Sequence, residues 1–370
     1  MTPRSLSATI AIVAAAVLLA LTWPQLLGLQ NAWVIAHVVS LRGVAVAAGA
    51  VVVVVLLLLT LVKRVRRLAF ALAIVMALFV VADAAILGVR GIGTDAAGTS
   101  ADASTGSSAA GSDGAVTVLS WNTLGDAPGA KAIADLAVAK GADVVTLPET
   151  TEVTGVDVAK LMRDAGRPMW VHTIAFDLVS KARSTTLLIS PTLGDYTVQN
   201  QAGSGPPGNT NVLPTVVATP VSGNGPTVIA VHAVAPIQWE MSNWRSDLDW
   251  LSTQCNGGGS VIMAGDFNAT VDHMAGREAS ASAGSTTSAG TADENAAGDV
   301  LGACHDAGLA DGSGAVGTWP TSLPPLLGSP IDHVLATGDW TVREMSVIQS
   351  SDSAGSDHRP IVATLVPAAG

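Results

Sequence analysis

Three long apolar runs lie near the start of the 370-residue chain, and they restrict its fold more than any other feature. Ser5 to Trp23 is almost uncharged, Gly43 to Val62 has V-V-V-V-V-L-L-L-L at its centre, and Leu68 to Val89 is the third. Each is about long enough to cross a hydrocarbon core of roughly 30 Å as a helix. A cleaved signal peptide would explain the first run and leave the other two without a reason. Lys63, Arg64, Arg66 and Arg67 fill the connection between the second and third runs, and Arg4 precedes the first. The positive-inside rule places both on the cytoplasmic side, so residues after Val89 lie outside the cell. The expectation is a multi-pass plasma-membrane protein with a cytoplasmic amino terminus and a membrane anchor over residues 1–90. Arg42, at the outer entrance of the second run, and Asp83, inside the third, are costly there; either they pair or Arg42 snorkels outward.

Residues 91–114 are almost entirely Gly, Ala, Ser, Thr and Asp. Such a segment has too little apolar surface to order itself and reads as a flexible tether. Residues 115–370 then form a separate domain with ample length for a large core. This part is acidic: from Gly111 onward 11 Lys and Arg stand against 26 Asp and Glu. Proteins that grip polyphosphate backbones show the opposite balance, which weighs against tight nucleic-acid binding unless metal ions offset the charge locally. Cys255 and Cys304 are the only cysteines. An even count in an oxidising compartment predicts a disulfide, with two buried free thiols as the alternative.

Within the outer domain, Val261 to Thr270 (V-I-M-A-G-D-F-N-A-T) reads as a buried strand that releases Asp266 and Asn268 two positions apart. On an extended backbone both side chains share one face, an arrangement suited to holding a water molecule against a reacting centre. Other strand-like runs also end in polar groups: Val116 to Ser120 delivers Asn122, Asp143 to Leu147 delivers Glu149, and Thr227 to Val231 delivers His232. Asp332 and His333 open a further strand, and Asp357 and His358 precede the last, Ile361 to Leu365. Taken singly, Asn122, Glu149 and His232 are ordinary cap, turn or core residues. A hairpin is predicted from Ile174 to Val179 and Thr185 to Ile189, and an amphipathic helix over Gln238 to Leu251, with its tryptophans packed on a sheet. Residues 203–211 read as a loop, 271–299 as a mobile insertion whose His273, Arg277 and Glu278 are solvated, and Val300 to Gly308 as a short helix holding Cys304.

Six motifs in order carry more than any one of them: W-N-T (121–123), L-P-E-T (147–150), V-H-A-V-A-P (231–236), G-D-F-N-A (265–269), P-I-D-H-V-L (330–335) and S-D-H-R-P (356–360). Together they resemble the endonuclease/exonuclease/phosphatase superfamily, with its deoxyribonuclease I-like, exonuclease III-like and sphingomyelinase-like branches. The resemblance covers the outer domain and leaves the anchor untouched. It implies an α/β fold of two packed, mostly antiparallel sheets flanked by helices, a four-layer sandwich preceded here by three transmembrane helices.

The resemblance also implies roles. Glu149 matches a metal-binding glutamate, and Asn122 and Asp357 match positions that complete a magnesium site; manganese or calcium are alternatives, and oxygen ligands suit all three. Asp266 matches the residue that orients or deprotonates the attacking water, and Asn268 the one that positions it. His358 matches the histidine that stabilises the transition state or protonates the leaving group, Asp332 its orienting partner, and His232 a second histidine of some branches. No residue matches the mid-chain tyrosine or arginine that binds phosphate in many branches, and His333 reads as structural, pointing to the opposite side from Asp332. The implied activity is magnesium-dependent hydrolysis of a phosphodiester or phosphomonoester, in a lipid head group or a nucleic acid, with no stable protein partner. An inactive membrane-anchored scaffold on the same fold is the competing class, and loss of Asp266 or His358 would have marked it.

Overall fold

The computed structural model describes residues 3–93, 114–176, 180–198, 214–277 and 299–368. Four helices open the chain: α1 (Pro3–Thr22), α2 (Trp33–Ser40), α3 (Arg42–Leu59) and α4 (Arg66–Arg90). Three of them, over Ser5–Thr22, Arg42–Leu59 and Arg66–Arg90, are long and apolar enough to cross a membrane. The three apolar runs thus each become one helix, and the short α2 between the first two was not anticipated. Gly49 of α3 sits against Val80 of α4, where the missing side chain permits close helix approach.

Thirteen strands and five further helices follow: β1 (Val116–Ser120), α5 (Gly129–Lys140), β2 (Val144–Pro148), α6 (Glu152–Asp164), β3 (Trp170–Ala175), β4 (Ser184–Ile189), β5 (Tyr196–Val198), β6 (Val216–Pro220), β7 (Thr227–His232), α7 (Met241–Cys255), β8 (Val261–Asp266), α8 (Val271–Met274), β9 (Asp299–Leu301), β10 (Cys304–Asp306), α9 (Ala307–Ala310), β11 (Asp332–Thr337), β12 (Trp340–Val347) and β13 (Ile361–Pro367). One sheet runs β12-β13-β1-β2-β4-β3 and the other β5-β6-β7-β8-β11-β10-β9. Each is mixed and contains one parallel pair, β1 with β2 and β7 with β8; all other neighbours are antiparallel.

Strand alternation builds the layers. Val116 and Val118 of β1 and Ile262 and Ala264 of β8 face each other in the core between the sheets. The intervening residues face outward, Leu119 towards α5 and α6 and Met263 towards Trp244 and Leu248 of α7. The order is helices, sheet, sheet, helix, the expected sandwich. Trp244 is fully buried there, as a packing tryptophan should be.

Several sequence expectations need correction. The first arm of the predicted hairpin is β3, Trp170–Ala175, rather than Ile174–Val179. Residues 299–306 form β9 and β10, with only Ala307–Ala310 helical, because Cys304 to Asp306 completes the ladder on β11. The start of the 271–299 segment is a packed turn of helix in which Asp272, His273 and Arg277 are buried. Glu278, the rest of that insertion to residue 298, most of the 91–114 tether and the 203–211 loop lie outside the described residues. Cys255, ending α7, and Cys304, opening β10, are joined as a disulfide.

The N-terminal helices and the sandwich are in direct contact. Arg42 pairs with Asp83, so the paired reading of those two holds, and both are buried. Arg42 and Arg90 also meet the carboxylate of Asp272, at 2.9 and 2.7 Å. Beyond α4, Gly93 N–H donates to Gly312 O and Ala315 N–H to Gly91 O.

Candidate active site

The parallel pairs decide where polar strand ends collect. β1 and β2 finish at the same edge at which the antiparallel β13 begins, and β7 and β8 finish where β11 begins. In register, His232 and Asp332 flank Asp266 as its direct neighbours. Alternation keeps all three pointing between the sheets, on the side of Ala230, Ala264 and Val334. From the other sheet come Asn122 after β1, Glu149 after β2, and Asp357 and His358 before β13.

Two backbone departures complete the group. Glu149 would follow β2 onto the helical side, but its φ of +58° breaks the alternation and turns it towards Asn122. Asn268 also has positive φ, +47°. The strand stops at Asp266, so Asn268 is brought to the site by a turn in which its N–H donates to Asp266 Oδ1 at 2.8 Å, rather than by an extended backbone. Its Nδ2 donates to Ala233 O at 2.9 Å.

His358 stands at the centre. Its Nδ1 lies 2.8 Å from Asp332 Oδ2, and its Nε2 lies 3.8 Å from Asp266 Oδ2 and 4.0 Å from Asp357 Oδ1. Burial by itself would lower the pKa of His358, but the carboxylates of Asp332 and Asp266 outweigh it and hold the ring protonated well above the usual histidine range. Burial raises Asp266, and His358 only partly opposes that. Burial also raises Glu149. His232 is pushed down to about 3, by burial and then by the charge of His358, so it is neutral; its Nε2 is 3.9 Å from Glu149 Oε1.

The buried carboxylates are candidate donors for a hard cation. Asp357 Oδ1 and Asp332 Oδ1 are buried carboxylate oxygens with no hydrogen-bond partner among the described residues. Glu149 and Asp357 therefore offer oxygen donors suited to a hard cation. Asn122 as placed does not, since its Nδ2 donates to Glu149 Oε1 at 3.2 Å and Asp266 Oδ2 at 3.0 Å while its Oδ1 accepts from Leu124 N–H. Asp266, Asp332 and His358 also cluster closely enough to ligate an ion. At 2.8 Å the His358–Asp332 contact is a hydrogen bond with no space for a cation between the atoms, which favours the Glu149 and Asp357 side.

The family model for the endonuclease/exonuclease/phosphatase family matches residues 119–358. The chain belongs to the endonuclease/exonuclease/phosphatase family. Three solved structures are similar over about two thirds of the chain. An endonuclease/exonuclease/phosphatase from Beutenbergia cavernae DSM 12333 is 19% identical, covering 68% of this chain and 72% of its own, with a TM-score of 0.49. D. rerio TDP2 complexed with single strand DNA product is 16% identical over 68% of this chain and 99% of its own, at 0.48. An endonuclease/exonuclease/phosphatase from Bacteroides vulgatus is 12% identical over 69% and 99%, at 0.47. No curated protein matches the sequence.

In this member of the endonuclease/exonuclease/phosphatase family the eight expected site residues converge, while several supports escaped sequence reasoning. Trp319 Nε1 donates to Asp357 Oδ2 at 2.8 Å, Trp121 Nε1 to His358 O at 2.9 Å, and Ser356 Oγ to Asn122 O at 2.6 Å. Trp121 and Ser356 stood inside quoted motifs, but Trp319 lies 38 positions from Asp357 and carried no local signal. His333 faces away, as expected, bonding Asp306 Oδ2 at 2.7 Å and Ala269 O at 2.8 Å. Arg359 is not a phosphate binder: its guanidinium donates to the carbonyls of Gly317, Thr321 and Leu323 and to Asp352.

Proposed function

We propose that the chain is a divalent-metal-dependent phosphoester hydrolase, fixed in the plasma membrane by three helices, with residues 115–370 outside the cytoplasm. The observation that carries the catalytic reading is His358 held between Asp332 and Asp266, with Asp266 also held by Asn122 and by Asn268. Members of this family include nucleases and phosphatases, which all cleave phosphoesters by water. Membrane placement rests on the length and apolarity of α1, α3 and α4 and on the basic turn at residues 63–67.

The residues divide the work as hydrolysis requires. Asp266, unprotonated, accepts a proton from the attacking water, and Asn268 fixes that carboxylate and the water beside it. Protonated His358 stabilises charge on the phosphoryl oxygens and gives its proton to the leaving oxygen, while Asp332 holds the ring in the orientation that presents Nε2. Neutral His232 acts as a hydrogen-bonding group beside Glu149. Glu149 and Asp357 would hold the metal, while Asn122 orders Glu149 and Asp266 through its amide N–H groups. A divalent cation there would supply neutralisation of the phosphoryl charge.

The direct test is hydrolysis of bis(p-nitrophenyl) phosphate by the full-length protein in detergent. Activity should vanish with EDTA, return with magnesium or manganese, and fall at least about 10²-fold in Asp266→Ala and His358→Ala. Full activity in either variant would remove the mechanism.

A further inference from the structure

The anchor helices touch the sandwich at the end that carries the site. Asp272 follows Asp266 by six residues. Its carboxylate accepts from Arg42 Nε and Nη2, both at 2.9 Å, from Arg90 Nη1 and Nη2 at 2.8 and 2.7 Å, and from Gln25 Nε2 at 2.7 Å. The next residue, His273, reaches the carbonyl of Ala36 in α2 with Nε2 at 3.1 Å. The segment entering β11 is held in the same way. The carbonyl of Leu326 presses on Gly43 so closely that a Cβ there would overlap it, and Asp332 follows six residues later. The strand ends bearing Asp266 and Asp332 are therefore fastened to the helix ends opposite the basic turn at residues 63–67.

The rim of the site lies on the same side. Ala233 is bonded to both Asp266 O and Asn268 Nδ2, and it opens a loop that runs to α7. Ile237 and Trp239 on that loop are 40% and 78% exposed. In α7, Arg245 Nη1 donates to Asn31 O at 3.1 Å, which brings the end of the loop to the level of α2. Trp23 and Trp33, exposed at 44% and 43%, mark that level on the helices. Exposed apolar side chains thus stand both on the helices and on the loop that borders the site, and tryptophan is the residue that favours the headgroup layer.

We propose that this site cleaves phosphoesters carried by lipids of the same bilayer, with Ile237 and Trp239 resting in the headgroup layer beside it. The proposal rests on the membrane-anchored hydrolase reading and narrows its substrate. Fixing both strand ends sets the height and tilt of the site over the membrane. A solute arriving from water gains nothing from that, whereas a lipid is delivered to the strand ends with its acyl chains still in the hydrocarbon. Charge points the same way: the acidic outer domain repels a long polyanion, while a lipid head group presents one or two phosphoryl charges. The step balances without a co-reactant. The water oxygen bonds to phosphorus, one P–O ester bond breaks, the water proton goes to Asp266, and the proton on His358 goes to the leaving oxygen.

The test uses full-length protein in vesicles of phosphatidylcholine, phosphatidylethanolamine and phosphatidylglycerol in equal parts, with magnesium outside. Rates on the vesicle lipids are compared with those on their deacylated glycerophosphodiesters, a single-stranded oligonucleotide and bis(p-nitrophenyl) phosphate. At least one vesicle lipid should be cleaved about tenfold or more faster than its deacylated counterpart, through the concentration gained by confinement to the bilayer. Replacing both rim residues (Ile237→Ser, Trp239→Ser) should lower the ratio of lipid to bis(p-nitrophenyl) phosphate turnover about fivefold or more, since apolar area buried in the interface is lost. Equal or faster cleavage of the deacylated compounds or the oligonucleotide, an unchanged ratio in the double variant, or cleavage of bis(p-nitrophenyl) phosphate alone would overturn the lipid assignment and leave the hydrolase standing. No turnover of any of the four would sink the hydrolase reading itself.

Discussion

His358 Nδ1 rests 2.8 Å from Asp332 Oδ2, and both groups are almost wholly buried. The pair spans the two sheets, since Asp332 opens β11 and His358 precedes β13, so the packing of one sheet on the other sets the orientation of the imidazole. Asp332→Asn keeps the shape and removes the charge. It should lower kcat about 10²-fold or more with KM for bis(p-nitrophenyl) phosphate little changed, because the interaction matters most as charge develops. A rise in KM at constant kcat would assign Asp332 to binding instead.

The pH profile at saturating magnesium follows from the two shifted groups. In the proposed mechanism Asp266 works unprotonated; burial raises it, so activity should fall on the acid side well above the ordinary aspartate range. His358 works protonated and is raised by Asp332 and Asp266 against its burial, so the alkaline fall should begin well above the ordinary histidine range. In Asp332→Asn the alkaline limb should move to lower pH, since one of the carboxylates that raise His358 is gone. An alkaline limb that stayed in place would exclude His358 as its source.

Asp272 links stability to pH. Its carboxylate is held far below the usual range: burial raises it, but the hydrogen bonds and charges of Arg90 and Arg42 overcome that. A lowered folded-state pKa means that this stabilisation is complete above the unfolded value, roughly 3.9, and is lost as pH falls below it. At neutral pH, Asp272→Asn takes the carboxylate from Arg90 and leaves Arg42 with Asp83 alone, and should cost about 3–5 kcal/mol. Thermal unfolding of the full-length protein in detergent measures it, and a loss below about 1 kcal/mol would class the pair with exposed ion pairs.

The disulfide closes a loop of sequence separation 49 between α7 and β10. In the chain-entropy model its removal costs about 4 kcal/mol. Cys255→Ser with Cys304→Ser should lower the melting temperature while leaving kcat nearly unchanged, because neither sulfur approaches the site. Non-reducing peptide mapping checks the bond, and a large fall in kcat without a fall in stability would contradict the assignment.

How far the sequence could be read depended on the range of each interaction. The apolar runs and the strands that lead into or out of the site gave themselves away through local pattern, whereas β5 and β12 did not; Asp266, Glu149 and His358 stood in short motifs at strand ends. β9 and β10 were hidden because three-residue strands have almost no period of their own and exist by pairing with β11. Trp319 and the segment after Asn268 were misjudged or missed for the same kind of reason. A buried role for Asp272 is invisible until Arg42 and Arg90, 230 and 182 residues away, are brought beside it.

That separation has a consequence for how the protein is made. Arg42 and Arg90 leave the ribosome long before Asp272 does, so the helices that carry them form with a surplus positive charge at that end. Only when β8 has formed and the turn behind it has closed does the counter-ion arrive. Maturation is therefore sequential: the helices come first and the sandwich second, and the second event completes the charge balance of the first.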